Sequence, residues 1–506
     1  MTQATPLAGK AVSLWVDTAP ATSYPALEDE IETDVAIVGG GIAGLTSALL
    51  LKRAGIRVVV LEAGRVGTGV TGHTTGKVSS LQRLVYGELR RSFGDRGART
   101  YGEANQAAIE QVAALVESET IDCDFRRVAN YTYAESEASL EQVKREAALA
   151  RELGLPAAYT HSVPLPFSVR GAVRFDEQAQ LHAAKYLVGL ARAIAGDGSY
   201  VFEESRVTDI DDGTPCRVTT ESGSASAGAA IVATNFPILD RGLFFARCHP
   251  HRSYLVAATL DGPAAEGTFI SADEPLRSIM PHRAADRDLL LVGGEGHRAS
   301  DKVDVAERYR RLDAWAKERF SVGSLEYRWS TQDAMPIDGV PYVGRMSPLS
   351  RNVYVATGFR KWGLSNGTAA AMILADHILE RPNRWASLFN SNRLRPLAGG
   401  RRFLTENLRA GVRLIRDRVA SRGSGLPELG PGEGRVVELG GEKVAVHRDG
   451  SGEVHAVSAV CTHLGCIVEW NGAEATWDCP CHGSRFDHAG GVIQGPATED
   501  LAVHRR

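Results

Sequence analysis

The chain has 506 residues, with 43% hydrophobic and 23% charged side chains, which is the balance of a globular protein. This length predicts about three domains. The 57 basic and 61 acidic side chains leave a formal net charge of -4, which argues against general binding to nucleic acid. The chain has no run of about 18 apolar residues that would span a membrane, and its N-terminus lacks the layout of a secretory signal. We therefore expect a cytoplasmic protein.

The first predicted unit is a strand, a glycine-rich turn, a helix and a second strand within residues 34–64. Gly39, Gly41 and Gly44 form the pattern G-x-G-x-x-G directly after the strand VAIV. The first glycine permits a tight turn, the second lets the backbone approach a pyrophosphate, and the third lets the helix pack closely on the sheet. Glu62, at the end of the second strand, would bind ribose hydroxyls. The pattern predicts a dinucleotide site but leaves FAD and NAD open.

Strands and helices continue to alternate up to about residue 396. The runs AAIVAT, LLLVGG and VYVATG predict buried strands at residues 229–234, 289–294 and 353–358. Residues 178–196 have the apolar spacing of an amphipathic helix that ends at Gly196. This alternation is typical of an α/β fold.

Three segments of this region resemble the D-amino-acid oxidase/glycine oxidase (DAO) family of FAD-dependent oxidoreductases. They are LEAG at residues 61–64, the Gly- and Thr-rich loop 65–80, and the strand, turn and helix of residues 353–379. The resemblance implies FAD as the cofactor. It also implies a set of residues near FAD: Gly39, Gly41, Ile42, Ala43, Gly44, Glu62, Ala63, His73, Thr74, Val207, Thr234, Gly358, Gly363 and Leu364.

The same resemblance implies a domain plan for residues 1–398. A Rossmann-like FAD-binding domain would comprise about residues 30–105, 170–240 and 330–398. An interleaved α+β substrate domain would comprise about residues 106–170 and 241–329.

In the DAO family the substrates are amines or amino acids, which are oxidised at the C–N bond. Arg360, Lys361, Tyr254 and His297 are the candidate catalytic residues. A substrate carboxylate could also be held by Arg252 or Arg283, and aromatic walls could come from Tyr327, Trp329 and Trp362. Some members of the wider group attach FAD covalently through a histidine, so His73 has that alternative to a polar contact.

Residues 399–434 differ in amino-acid composition from the preceding region. Residues 401–421 predict an amphipathic helix with an Arg-rich face, which would pack between two domains or, alternatively, make peripheral contact with a membrane. Residues 421–434 are rich in Gly, Ser and Pro and predict a flexible linker.

Near the C-terminus, Cys461 and His463 form a C-x-H pair, and Cys479 and His482 form a C-x-x-H pair. Two cysteines and two histidines are the ligand set of a Rieske [2Fe–2S] cluster, with both histidines on one iron. A structural zinc site also uses two Cys and two His, but zinc fingers lack this spacing. A degenerate domain without metal is disfavoured because all four ligands are present.

The segments 461–466 and 479–484, which contain these two pairs, resemble the Rieske protein of cytochrome bc complexes. The resemblance implies a small all-β domain over residues 435–506 and a disulfide between Cys466 and Cys481. It also implies that the Ser484 hydroxyl bonds a cluster sulfur. Phe486 stands where the family has a tyrosine, so we expect one hydrogen bond fewer and a lower reduction potential.

FAD accepts two electrons and a [2Fe–2S] cluster passes one at a time, so the combination predicts an FAD-dependent dehydrogenase that transfers electrons to an unknown acceptor. The DAO resemblance implies that its substrate is an amine or amino acid. Two alternatives remain. A NAD(P)H-dependent reductase feeding an oxygenase would need a second glycine fingerprint, and GGEGHRAS at residues 293–300 lacks the third glycine. A non-catalytic redox carrier or sensor would not need the long middle segment.

Overall fold

The computed structural model describes residues 7–284, 287–393 and 428–504. The described part of the chain has two large sheets, up to residue 393, and a small all-β domain from residue 428. The helix and most of the linker predicted within residues 399–434 lie outside the described residues. Within the described ranges, no helix is both long and apolar enough to cross a membrane.

The first sheet is built around the strand that precedes the glycine-rich turn. In spatial order its strands are Tyr342–Arg345, Val353–Thr357, Ser224–Val232, Glu30–Val38, Val58–Leu61 and Tyr200–Phe202. All neighbours are parallel except the first pair, and the antiparallel strands Val207–Asp211 and Cys216–Thr220 extend from Ser224–Val232. The central strands are buried on both faces, as expected for a parallel sheet covered by helices.

Two helices pack against each other beside this sheet, Ile42–Arg53 and Gly363–Ile378. A Cβ at Gly367 would lie 2.8 Å from Cγ2 of Ile42, so the absence of a side chain there permits the close approach. The other described helices are Leu14–Thr18, Val85–Ser118, Glu137–Glu152, Ala183–Ile194, Phe244–Arg247, Val305–Arg319 and Ala386–Phe389, with 3-10 turns at Val70–His73 and Asp240–Gly242.

The second sheet carries the surface that faces the glycine-rich turn. In spatial order its strands are Val322–Pro336, Cys248–Leu260, Asp288–Arg298, Arg277–Arg283, Thr268–Ser271, Arg126–Ala134, Gly171–Gln180 and Lys77–Val78, and Ala157–Thr160 pairs with Gly171–Gln180. The helix predicted over residues 178–196 begins only at Ala183, because Gln178–Gln180 continue the preceding strand.

The C-terminal domain has two small antiparallel sheets and its own apolar core around Trp477 and Phe486. One sheet contains Gly434–Leu439, Glu442–Arg448 and Val454–Ser458, and the other contains Glu469–Asn471, Thr476–Asp478, Arg485–Phe486 and Val492–Gln494. This all-β architecture agrees with the fold expected for residues 435–506.

Candidate functional site

The glycine-rich turn is shaped by close backbone approaches. Gly39 has a φ of +108°, and a Cβ there would lie 2.9 Å from the Ala233 carbonyl oxygen. A Cβ on Gly44 would lie 1.9 Å from the Gly39 carbonyl oxygen. The helix that follows has Gly41 as its N-cap, and a Cβ there would have Thr71 Oγ1, at 3.5 Å, as its one close neighbour among the described residues, so the turn is open to the cavity at this glycine. This cradle fits a dinucleotide pyrophosphate.

Glu62 lies directly after the strand Val58–Leu61, and its side chain is bonded to the glycine-rich turn. Its carboxylate accepts hydrogen bonds from the backbone N–H of Gly40 (2.6 Å) and of Gly64 (3.0 Å). Burial raises the pKa of Glu62, and these two backbone bonds oppose the rise.

A cavity of about 660 Å³ opens from this turn and extends to the second sheet. Most residues expected near FAD line it, namely Gly39, Gly41, Ile42, Ala43, Glu62, Ala63, His73, Thr74, Val207, Thr234, Gly363 and Leu364. Gly44 and Gly358 do not line it: Gly44 faces Gly39, and Gly358, at a φ of +81°, packs against Pro336.

His73 lies in the 3-10 turn at the edge of this cavity. Its Nδ1 lies 2.9 Å from the Gly69 carbonyl oxygen, and its own carbonyl oxygen accepts a hydrogen bond from Nε1 of Trp329 (3.0 Å). Burial lowers the pKa of the His73 imidazole. Trp329 therefore positions the loop by a backbone contact and is not an aromatic wall of the cavity.

At the second sheet the cavity is lined by Lys361, Asp333 and Ser253. Lys361 Nζ donates to Ser253 Oγ (2.6 Å). Burial lowers the pKa of Lys361 to about 8, and burial raises the pKa of Asp333 to about 6, although each opposes the shift of the other. These two groups could bind and orient a polar substrate.

The other candidate catalytic residues differ in what they contact. Arg360 lines the cavity, but its guanidinium is held by Glu88 (3.0 Å) and by the Gly339 carbonyl oxygen (2.7 Å). Tyr254 lines the cavity, and its hydroxyl lies 2.8 Å from Nε2 of His297. His297 is outside the lining and reaches the cavity only through that tyrosine.

Two candidate carboxylate ligands lie elsewhere. Arg283 is exposed at the end of its strand and does not line the cavity. Arg252 is buried and forms an ion pair with Asp478 of the C-terminal domain (2.5 Å). Of the expected aromatic walls, Trp362 lines the cavity, whereas Tyr327 packs in the apolar core.

The four predicted cluster ligands lie in two loops of the C-terminal domain that are joined by the Cys466–Cys481 disulfide. Cys461 and Cys479 are free and buried, and their sulfur atoms are hydrogen-bonded to each other. The rings of His463 and His482 have centroids 5.1 Å apart, and the buried Nδ1 of His482 has no hydrogen-bond partner among the described residues. Two adjacent thiols and an available imidazole nitrogen fit the donor set of a Rieske cluster.

Cys466 and Cys481 form a disulfide beside these ligands. Ser484 is buried; its Oγ bonds the Cys461 sulfur and accepts a hydrogen bond from the Ala497 backbone N–H (3.0 Å). Phe486 is fully buried in the domain core, where it pairs across the strands with Trp477.

The C-terminal domain docks on the second sheet through buried charges. Glu474 accepts hydrogen bonds from Tyr309 (2.8 Å) and Ser330 (2.9 Å), and Asp478 pairs with Arg252. Arg485 pairs with both carboxylates and lines the cavity. We call Arg252, Arg485, Glu474 and Asp478 the interdomain ion network.

Sequence reasoning missed this network, and it also missed Gln332. Gln332 lines the cavity, and its Nε2 donates to the carbonyl oxygen of Gly483 (2.6 Å), next to the predicted ligand His482. Arg252 donates to Oε1 of the same side chain (3.1 Å). No local pattern signals these residues, because their partners lie in another domain.

A dinucleotide turn that opens on a cavity, joined to a domain with a Cys₂His₂ loop pair, defines an oxidoreductase with two redox sites. The chain belongs to the FAD dependent oxidoreductase family (DAO), whose model matches residues 34–377, and the Rieske [2Fe-2S] domain model matches residues 425–505. The protein is therefore an FAD-dependent oxidoreductase with a C-terminal Rieske [2Fe–2S] domain.

Three known proteins illustrate the similarity. The "Putative Rieske 2Fe-2S iron-sulfur protein YhfW" of Bacillus subtilis is 35% identical over 489 residues, covering 96% of each chain. Gamma-glutamylputrescine oxidoreductase of Escherichia coli is 26% identical over 399 residues, covering 75% of this chain and 91% of the relative. The crystal structure of glycine oxidase from Geobacillus kaustophilus matches the fold with a TM-score of 0.63 and 20% identity, over 72% of this chain and 99% of that one.

We predict that Gly44→Ala weakens FAD binding, because the new Cβ would collide with the Gly39 carbonyl oxygen. Overpacking of about 1–3 kcal/mol corresponds to roughly a 5- to 150-fold loss of affinity. FAD titration of the apoprotein, followed by flavin fluorescence, measures this. Gly64→Ala is the matched control, since its nearest neighbour would lie 3.7 Å away; equal affinities for both variants would refute the steric argument.

We also predict that Phe486→Tyr raises the reduction potential of the cluster, because it restores a hydrogen-bond donor near the cluster. A net bond of about 1 kcal/mol corresponds to roughly 40 mV for one electron. Ser484→Ala should shift the potential in the opposite direction. Redox titration followed by EPR tests both, and a lower potential in the tyrosine variant contradicts the account.

Proposed function

We propose that the protein is a dehydrogenase that oxidises an amine or amino acid at its C–N bond and passes the electrons through its Rieske domain to an external acceptor. The observation that carries this proposal is the shared cavity. The glycine-rich turn lines one end of it, the second sheet lines the other, and residues of the Rieske domain, including Arg485, Gln494 and Ala497, line it as well.

The turn residues Gly39, Gly41 and Gly44, together with Glu62, would hold FAD through its pyrophosphate and ribose. Cys461, His463, Cys479 and His482 would hold the cluster. FAD supplies two-electron acceptance from a C–H bond, and the cluster supplies one-electron transfer. The chain's own contribution is to keep the two sites adjacent and to orient the substrate against Lys361 and Tyr254.

The substrate class is supported by the relatives. The E. coli relative is named for γ-glutamylputrescine, a compound with an amine, and the Geobacillus neighbour is named for glycine. The cavity end beside the second sheet has polar groups suited to such substrates, since Lys361 can hold a carboxylate and Asp333 can hold an ammonium group.

Two short contacts lead from the cavity to the cluster ligands. Ala497 lines the cavity, and its N–H donates to Ser484, which bonds the sulfur of Cys461. Gln332 lines the cavity and donates to the Gly483 carbonyl, one residue from His482. Both contacts support electron exit directly from the cavity into the cluster loops.

The interdomain ion network favours a fixed Rieske domain over a mobile one. The flexible linker predicted at residues 421–434 would allow the domain to move, but Arg252 is buried against Asp478 and Phe245 packs on the rings of His463 and His482. Undocking would expose the network and leave its charges to be rehydrated, so electron transfer in the docked state is the simpler route.

The NAD(P)H-dependent alternative is weakened by the local fold. Residues 293–298, which carry the incomplete glycine pattern, belong to the long strand Asp288–Arg298 and not to a turn that opens a helix. The carrier or sensor alternative is weakened by the nine-stranded second sheet, which forms a wall of a cavity large enough for a substrate.

We predict that an amine reduces both redox groups in sequence. Under anaerobic conditions, glycine, γ-glutamylputrescine and NADH are each mixed with the holoprotein, and flavin absorbance and the EPR signal of the reduced cluster are followed together. Flavin bleaching by an amine with subsequent cluster reduction is the expected result. Reduction by NADH alone would refute the dehydrogenase assignment in favour of the reductase.

A second prediction concerns docking. Arg252→Met removes one of the two buried positive charges of the network, so that Arg485 alone must balance Glu474 and Asp478, and should lower the free energy of unfolding by about 3–5 kcal/mol. Lys302→Met is the control, because Lys302 also pairs across the domains, with Glu469 at 3.8 Å, but is exposed and should cost less than about 1 kcal/mol. Denaturant titration compares the variants, and equal losses would show that burial of the network contributes nothing.

A further inference from the structure

The cavity wall formed by the second sheet contains a polar side chain that the proposed mechanism has not used. Leu255, Gly293, Ser278 and Ile270 are successive cross-strand partners in the second sheet, and all four line the cavity. Ser278 is the only member of this row with a polar side chain.

Lys77 contacts Ser278 but does not itself line the cavity. Its Nζ lies 2.7 Å from Ser278 Oγ and 2.6 Å from the Phe269 carbonyl oxygen, and the residue is 3% exposed. A neutral amine in this place can donate one N–H to the carbonyl oxygen and accept the Ser278 hydroxyl with its lone pair, whereas an ammonium group has no lone pair to accept with. Burial alone lowers the pKa of Lys77 to about 7.

No carboxylate among the described residues compensates a charge on Lys77. The ionisable groups on the strands that pack against it are engaged elsewhere: Arg277 with Glu295, Arg174 with Asp176, and His282 against Trp15. The charged groups that line the cavity include Asp333, on the strand Val322–Pro336 of the same sheet, and Lys361, which follows the strand Val353–Thr357 of the first sheet.

We propose that Ser278 and Lys77 form a proton-accepting pair, which takes a proton from the ammonium group of the bound substrate before its C–H bond is oxidised. This inference rests on the proposed amine oxidation. An amine with a pKa near 10 enters as an ammonium ion at neutral pH, and only the neutral amine has the lone pair that forms the C=N bond.

The step balances as two proton transfers. The substrate N–H gives its proton to Ser278 Oγ, and the Ser278 hydroxyl proton moves to Lys77 Nζ. The substrate becomes a neutral amine, Ser278 is again a neutral hydroxyl, and Lys77 becomes an ammonium ion. No electron moves in this step.

The protonation state of Lys77 is measured directly, without any substrate. The sequence contains nine lysines, so a holoprotein labelled with [ε-¹³C]lysine gives a short set of NMR signals, and Lys77→Arg identifies the signal of Lys77. We expect this signal to titrate near neutral pH and the exposed lysines above pH 9. A Lys77 signal that also titrates above pH 9 overturns the proposal, whatever the activity shows.

The pH dependence of flavin reduction tests the role of the pair. With glycine or γ-glutamylputrescine under anaerobic conditions, the rate in the wild type should rise with pH and level off above the Lys77 titration. Lys77→Arg and Ser278→Ala should lower the rate at pH 7 by roughly 100-fold or more and move the rising limb towards the pKa of the free amine.

Lys302→Met, an exposed lysine remote from the cavity, should leave the profile unchanged. Flavin absorbance of each variant shows that it folds and retains its cofactor, and Ser278→Ala tests the pair even if Lys77→Arg does not fold. An unchanged profile in Ser278→Ala overturns this inference and leaves the proposed function intact. If neither amine reduces the flavin of the wild type at any pH while Lys77 titrates near neutrality, the amine-oxidising function itself is refuted, and the role of the pair with it.

Discussion

The arrangement of the molecule depends on the buried interdomain ion network. Arg252 and Arg485 balance Glu474 and Asp478, so the four charges of the network sum to zero. Uncharged side chains at this interface could hold the two domains together as tightly. A buried charge network tolerates fewer alternative domain positions, because a displacement separates the paired charges. The network therefore fixes where the cluster loops lie on the flavoprotein part of the chain.

The fixed position of the Rieske domain accounts for Gly483, in the segment that contains Cys479 and His482. A Cβ on Gly483 would lie 2.6 Å from Nε2 of Gln332 and 2.7 Å from Cβ of Pro250. The loop that carries His482 thus approaches the second sheet by its backbone, and Gln332 bonds it there. Gln332, which lines the cavity, therefore also holds the loop of the predicted ligand His482, and the Rieske domain forms part of the cavity wall.

The motifs whose function is local were predictable from the sequence. Two examples are the turn at Gly39 and Gly44 and the spacing of the Cys and His residues in the segments 461–466 and 479–484. Each depends on neighbours within about twenty residues, and the family resemblance indicated which cofactor each motif would bind. Arg252 was assigned to a substrate carboxylate because nothing in the sequence indicates its partner Asp478, 226 residues away. The pair of Lys77 and Ser278 was missed for the same reason, since an ordinary strand lysine becomes unusual only when two other strands bury it.

In the proposed reaction, the electrons and the proton leave the cavity in different directions. The proposed exit for electrons is the wall formed by the Rieske domain, where Ala497 and Gln332 contact the cluster loops. The proposed exit for the proton is the wall formed by the second sheet, where Ser278 passes it to Lys77. A charge on Lys77 is unfavourable in its buried setting, so the proton must move on before the next substrate is deprotonated. Lys77 can thus act as a transient acceptor because it is buried without a carboxylate; a permanent ion pair at that place would keep it charged and unable to accept.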